Sequence, residues 1–218
     1  PVIVPDESAL ISADFPGAAV AYIRAQLGNE VMALYAQGCA GNINGYPLRT
    51  THENAEKAGR GLGEAVIEGI DRSDLIPADR LKVCNVQAEL PSQPFPSIKI
   101  WQQSIERLDR DYEGGVKAWL TDDEYRQTRH RFDQLKGKIE SGEEPESRRL
   151  DVTGAMLGSE WCLVTLPHEL FCEYELWVDR TAPFTHNMTF GYTNGNEGYV
   201  ATDEAIALGA RGGYEAGS

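Results

Sequence analysis

Apolar residues in this chain come in short blocks, and the spacing within each block sets the element it predicts. Blocks of four to ten apolar or alternating residues between turn formers predict strands; apolar residues recurring every three or four positions predict helices. Val2–Val4 reads as a short strand. Asp14 precedes FPGAAVAYIRAQLG, a helix it can cap and Gly28 can end. Val31–Ala36 is apolar and of strand length. Thr50 and Glu53 make a capping box for a helix that carries Ala55, Ala58, Leu62, Ala65, Val66 and Ile70 along one face. Leu81–Leu90 alternates as a strand. After a break at Pro91–Pro96, Ile98–Asp111 and Thr121–Ile139 read as helices, with Ser141–Glu146 as a polar loop. Strand character returns in Asp151–Met156 and Glu160–Leu166, a hairpin around Leu157-Gly158-Ser159. Pro167 stops the second strand because it has no N–H for a ladder. A helix is expected from Leu170 through Arg180, a strand over His186–Tyr192, and a short helix over Asp203–Leu208 capped by Thr202.

Strands alternating with helices argue for the α/β class: a mixed, largely parallel sheet flanked by helices. Residues 1–218 read as a single domain, with 98–149 as a helical insertion. That insertion holds more than half of the chain's lysines and arginines, interleaved with acidic residues. Such interleaving suits a solvated face, and a lid over a site is the sharper reading. Pro1–Val4 begins inside an apolar run and GYEAGS adds no closing element, so the chain is expected to be part of a larger domain cut at both ends.

Composition narrows the partners. With 218 residues the chain is long enough for a real core. A net charge of −14 argues against nucleic acid and against anionic membrane surfaces as partners. No apolar run approaches the length of a spanning helix. Cys39, Cys84, Cys162 and Cys172 lie far apart with no CxxC spacing, and are expected to be free thiols.

Candidate chemistry gathers in EWCLVTLPHELFCEY, Glu160 to Tyr174. A strand that ends in His168-Glu169 places two polar groups at the carboxyl edge of a sheet, where open α/β sheets bind ligands. Glu169 there is a metal ligand or general base, or simply a glutamate that favours the N-terminus of a helix. Gln37 to Gly45 is a glycine- and asparagine-rich turn behind a strand candidate, able to aim backbone N–H groups at a ligand, and equally the composition of a plain loop. The four histidines, His52, His130, His168 and His186, form no HxH or HxxxH pattern, and His52 and His130 read as surface residues. There is no G-x-S-x-G, no P-loop and no G-x-G-x-x-G. Tyr199 and Tyr214 each follow a glycine-rich loop.

Four segments in order, ALISADFPG from Ala9, QGCAGNIN from Gln37, LPHELF from Leu166, and GYVATDEA from Gly198 with the later GYEA from Gly213, resemble the neutral/alkaline non-lysosomal ceramidases. The likeness is closer to that family's uncharacterised bacterial relatives and covers nearly the whole chain, as the carboxyl-terminal part of the catalytic domain. The resemblance implies a zinc amidase with an α/β catalytic domain, its metal held by two histidines, a glutamate and a tyrosine. Glu169 matches the glutamate and Tyr199 the tyrosine. Tyr214 matches a second tyrosine that stabilises the tetrahedral intermediate. The family's two histidines lie upstream, the second immediately before Pro1, so an upstream segment of the same protein is the implied source of both.

Two departures shape the expected chemistry. The family's serine in a G-D-V-S-P segment aligns with Asn44, and an amide cannot act as that nucleophile. The glycine before the ligand glutamate is His168, which adds a ligand or narrows the pocket. The expected function is therefore zinc-dependent hydrolysis of an amide, N-acyl bond by water. Tyr214 and Asn44 serve the reaction, and Gly41, Asn42 and His168 contact a small-molecule or lipid amide. A catalytically silent binding module and a zinc hydrolase of a non-lipid amide or ester are the competing readings. Membership of such a family also implies an extracytoplasmic or secreted location.

Overall fold

Two helices, α1 (Asp14–Leu27) and α2 (His52–Ile70), pack as a pair through small residues. Ala19 and Ile23 are buried on α1, and Ala55, Gly59 and Gly63 on α2. At Gly59 a Cβ would collide with the Phe15 carbonyl oxygen and with Ala18, so glycine is what lets the two backbones approach. Gly28 ends α1 as expected, with φ 103. Asp14 is itself the first helical residue: its Oδ1 accepts from Phe15 N and its Oδ2 from Ile3 N. The cap of α2 is Thr51, not Thr50. Thr51 is extended and its hydroxyl accepts from Asn54 N, whereas the Thr50 hydroxyl accepts from the Asn54 amide side chain.

The computed structural model describes residues 3–4, 10–114, 121–208, 211–213 and 215. The chain divides into two units, Pro1–Gln87 with Leu150–Ser218, and Ala88–Arg149. Strand β1 (Leu81–Leu90), helices α3 (Ile98–Glu113) and α4 (Asp122–Ser141), strands β2 (Arg148–Leu157), β3 (Trp161–Thr165) and β4 (Glu169–Leu170), helix α5 (Cys172–Thr181), strands β5 (His186–Phe190) and β6 (Tyr199–Val200), and helix α6 (Asp203–Ala207) complete the order.

The fold is α/β: six helices among the described residues and a mixed four-stranded sheet in the order β1-β2-β3-β5. The β2–β3 hairpin is antiparallel with Leu157 opposite Trp161, and β3 runs parallel to β5 with Trp161 beside His186. Contacts between β1 and β2 step in opposite directions, as an antiparallel pair requires: Gly158 N donates to Arg80 O, Thr153 bonds Asn85, and Gln87 bonds Asp151. The β3-to-β5 connection carries α5, which packs on β5. A second, two-stranded sheet pairs β4 with β6 in parallel.

Four expectations change here. The four-stranded sheet is mixed but not largely parallel, since β1–β2 and β2–β3 are antiparallel and only β3–β5 is parallel. Val31–Ala36 forms no strand: none of the described residues pairs with it, and Met32 and Leu34 stay largely exposed. Ile3 and Val4 form no strand either; Val2 lies outside the described residues. Glu169 and Leu170 do not begin a helix. They are a short strand because their backbones find Gly198 and β6, and α5 begins only at Cys172.

The unit Ala88–Arg149 contains the α3–α4 helical pair. Thr121 and Glu124 form a reciprocal capping box on α4, and Gly142 closes it with φ 70. Trp101 is buried and donates its indole N–H to Phe132 O, with Lys136 over its ring. Arg129 reaches both oxygens of Asp109, and the rings of Tyr112 and Tyr125 stack at 4.0 Å. All four cysteines are free.

Candidate functional site

The site grows from the end of β3. Leu166 N still donates to Phe190 O, continuing the ladder, and the buried Pro167 then breaks it. His168 takes φ 71, the left-handed region, and this turns the chain so that Glu169 enters β4. A glycine adopts that conformation without strain, so the glycine that the resembling family carries at this position has a direct structural counterpart.

Parallel pairing then brings the two expected metal ligands together. Glu169 is the register partner of Tyr199, and Leu170 of Val200. Register partners in a sheet present their side chains to the same face, so Glu169 and Tyr199 share one face there. Both residues are half-buried.

The loop between β5 and β6 wraps this corner. Tyr192 N donates to His168 O at 3.0 Å, Thr193 N to Leu166 O, His168 N to Gly195 O at 2.9 Å, and Glu169 N to Gly198 O at 3.0 Å. Tyr192 and Asn194 also hold positive φ, 55 and 64. The loop's side chains close on the carboxylate. Tyr192 donates its hydroxyl to Glu169 Oε2 at 3.1 Å, and Asn196 donates its amide to Oε1 at 3.2 Å. Burial first, then the Glu169 carboxylate, push the Tyr192 phenol up to about 12, so it stays protonated and remains a donor at neutral pH.

His168 is fastened as well. Its Nδ1 accepts from Glu197 N at 3.0 Å. In the neutral ring this leaves the proton on Nε2, which makes the imidazole a hydrogen-bond donor through its remaining nitrogen. Among the described residues the side chains that reach the Glu169 carboxylate are Tyr192 and Asn196, and His168 and Asn44 do not.

The glycine-rich segment supports the same corner from behind. Gly41 N donates to Leu170 O at 2.7 Å, and a Cβ at Gly41 would collide with Glu169 O. Asn42 joins the loop to the start of α5: its Oδ1 accepts from Cys172 N at 2.8 Å and its amide donates to Glu173 at 2.9 Å. Cys39 is buried, with its N–H on Glu175, and burial first, then the Glu175 charge, push its thiol up to about 11. Asn44 is exposed. Tyr214 lies outside the described residues.

Tyr192 and Asn196 are the site residues that sequence reasoning missed. The sequence pattern places Tyr192 at the end of a strand and Asn196 in a turn. The one available signal was the density of turn formers from Thr193 to Gly198, directly after a strand. Among the described residues no group of three or more histidine, cysteine, aspartate or glutamate side chains is placed to hold a metal ion. No helix of the described residues is long and apolar enough to cross a membrane. No family model, no curated protein and no solved structure matches this chain.

Proposed function

We propose that this chain is part of a zinc-dependent hydrolase of amide, N-acyl bonds, as its resemblance to neutral ceramidases implies. The observation that carries the reading is the Glu169–Tyr199 register pair, which puts the two side chains on the same face of the β4–β6 sheet although 29 residues separate them in the chain. The two oxygens suit a hard or borderline cation. Each carboxylate oxygen of Glu169 accepts one hydrogen bond and keeps acceptor capacity for a metal.

Glu169 and Tyr199 would supply two of the metal's ligands, and the resemblance assigns the other two to histidines of an upstream segment. Zinc held there would supply a bound water whose pKa is lowered to about 7 and a Lewis acid for the carbonyl. The residues of this chain do the rest. Asn44, in the family's serine position, carries an amide that is no nucleophile, so the attacking group is water. His168 offers Nε2–H to a substrate oxygen and Asn44 orients the acyl group, while Gly41 and Asn42 hold that loop against β4 and α5. Tyr214 donates to the carbonyl oxygen as it gains charge.

The full-length protein, with the upstream segment to which the resemblance assigns the histidines, assayed on N-acyl lipids and on short acyl amides and esters, is expected to hydrolyse an amide, to lose that activity to a chelator and to regain it with zinc. Glu169→Ala and Tyr199→Phe should each remove it. Retention of both zinc and activity by both variants overturns the reading. One observation favours a catalytically silent module instead, the asparagine at position 44. Failure to turn over any member of the panel in the zinc-loaded protein would favour it.

A further inference from the structure

The Glu169 carboxylate is held by two donors from one loop, one on each oxygen. Tyr192 Oη lies 3.1 Å from Oε2 and Asn196 Nδ2 lies 3.2 Å from Oε1. One donor alone would fix a single oxygen and leave the carboxylate free to rotate about it. Two donors on opposite oxygens restrain both its position and its plane, and leave each oxygen with acceptor capacity for a further partner.

The loop is itself fixed. Tyr192 N is tied to His168 O, and Asn196 Oδ1 accepts from Gly198 N, the residue whose carbonyl receives Glu169 N. Donor side chain, loop backbone and acceptor strand thus form closed rings of hydrogen bonds around one residue. The left-handed backbone at Tyr192 and Asn194 is a conformation that non-glycine residues adopt at a cost, and it turns the loop back over Glu169.

We infer that Tyr192 and Asn196 are positioning residues that clamp the Glu169 carboxylate into a single orientation for a metal ion. This rests on the reading of Glu169 as a zinc ligand. Neither residue touches substrate or reacting atoms. Each acts through Glu169, as hydrogen-bonded partners of metal-ligating carboxylates do elsewhere.

The test compares the full-length protein, upstream histidine segment included, with its Tyr192→Phe, Asn196→Ala and Tyr35→Phe variants. Zinc affinity is measured by chelator competition, and coordination by the visible spectrum after cobalt substitution. Tyr192→Phe keeps the ring and removes only the donor. It is expected to weaken zinc binding by about 10- to 100-fold and to alter the cobalt spectrum. Asn196→Ala, at an exposed position, should act in the same direction. Tyr35→Phe removes a hydroxyl that donates to Gln37 and should change neither readout. Tyr192→Phe and Asn196→Ala that both match the unsubstituted protein in affinity and spectrum overturn the clamp and leave the zinc site standing. Unsubstituted protein that binds no zinc overturns the zinc site, and the clamp falls with it.

Discussion

His168 shows how much one backbone angle decides. With φ 71 it places the next residue in β4 instead of in a helix, and so sets Glu169 beside Tyr199. A histidine adopts this conformation at a cost of roughly 1–2 kcal/mol, and the bond from Glu197 N to its Nδ1 offsets about 1 kcal/mol of that. Cys39 carries a separate consequence. Its thiol is raised from 9.0 to about 11 by burial and by Glu175. Between those values the folded protein keeps a proton that the unfolded chain has lost, so this contribution to stability is present at lower pH and is lost as pH rises through the window. The urea midpoint should therefore fall more steeply over that window in the unsubstituted protein than in Cys39→Ala. Equal declines would show that Cys39 keeps its proton no better when folded.

At the scale of elements, the hydrophobic pattern located the helices and the β2–β3 hairpin well, because each is set by local spacing, capping and turn residues. Thr202 caps α6 and Gly158 turns the hairpin at φ 63, both where the sequence placed them. Pairing was not legible in the same way. Val31–Ala36 has the composition of a strand, but a strand exists only where another backbone completes its ladder, and the described residues provide none. Glu169-Leu170 looks like a helix start and is a strand for the converse reason, since β6 lies alongside. The same non-local pairing hid Tyr192 and Asn196, whose role follows from a loop folding back and not from any motif. The tight seat of Gly41 under β4 belongs to this scale. Gly41→Ala drives a methyl group into Glu169 O and should destabilise the protein by about 1–3 kcal/mol in urea denaturation. A loss below about 0.5 kcal/mol would mean that the loop carrying Gly41 yields freely and does not hold β4 in place.

At the scale of the molecule, a mixed sheet, a two-stranded annex and a wrapping loop combine to present one carboxylate and one phenol together. The resemblance to neutral ceramidases predicts those two residues as zinc ligands, and the backbone makes them register partners. The direct test is elemental analysis of zinc in the full-length protein, including the upstream segment to which the resemblance assigns the two histidine ligands, with intact mass taken alongside. The account predicts about one zinc per chain, absent from a Glu169→Ala/Tyr199→Phe double variant that remains folded. A protein without zinc, or a double variant that keeps it, would contradict the account at its centre.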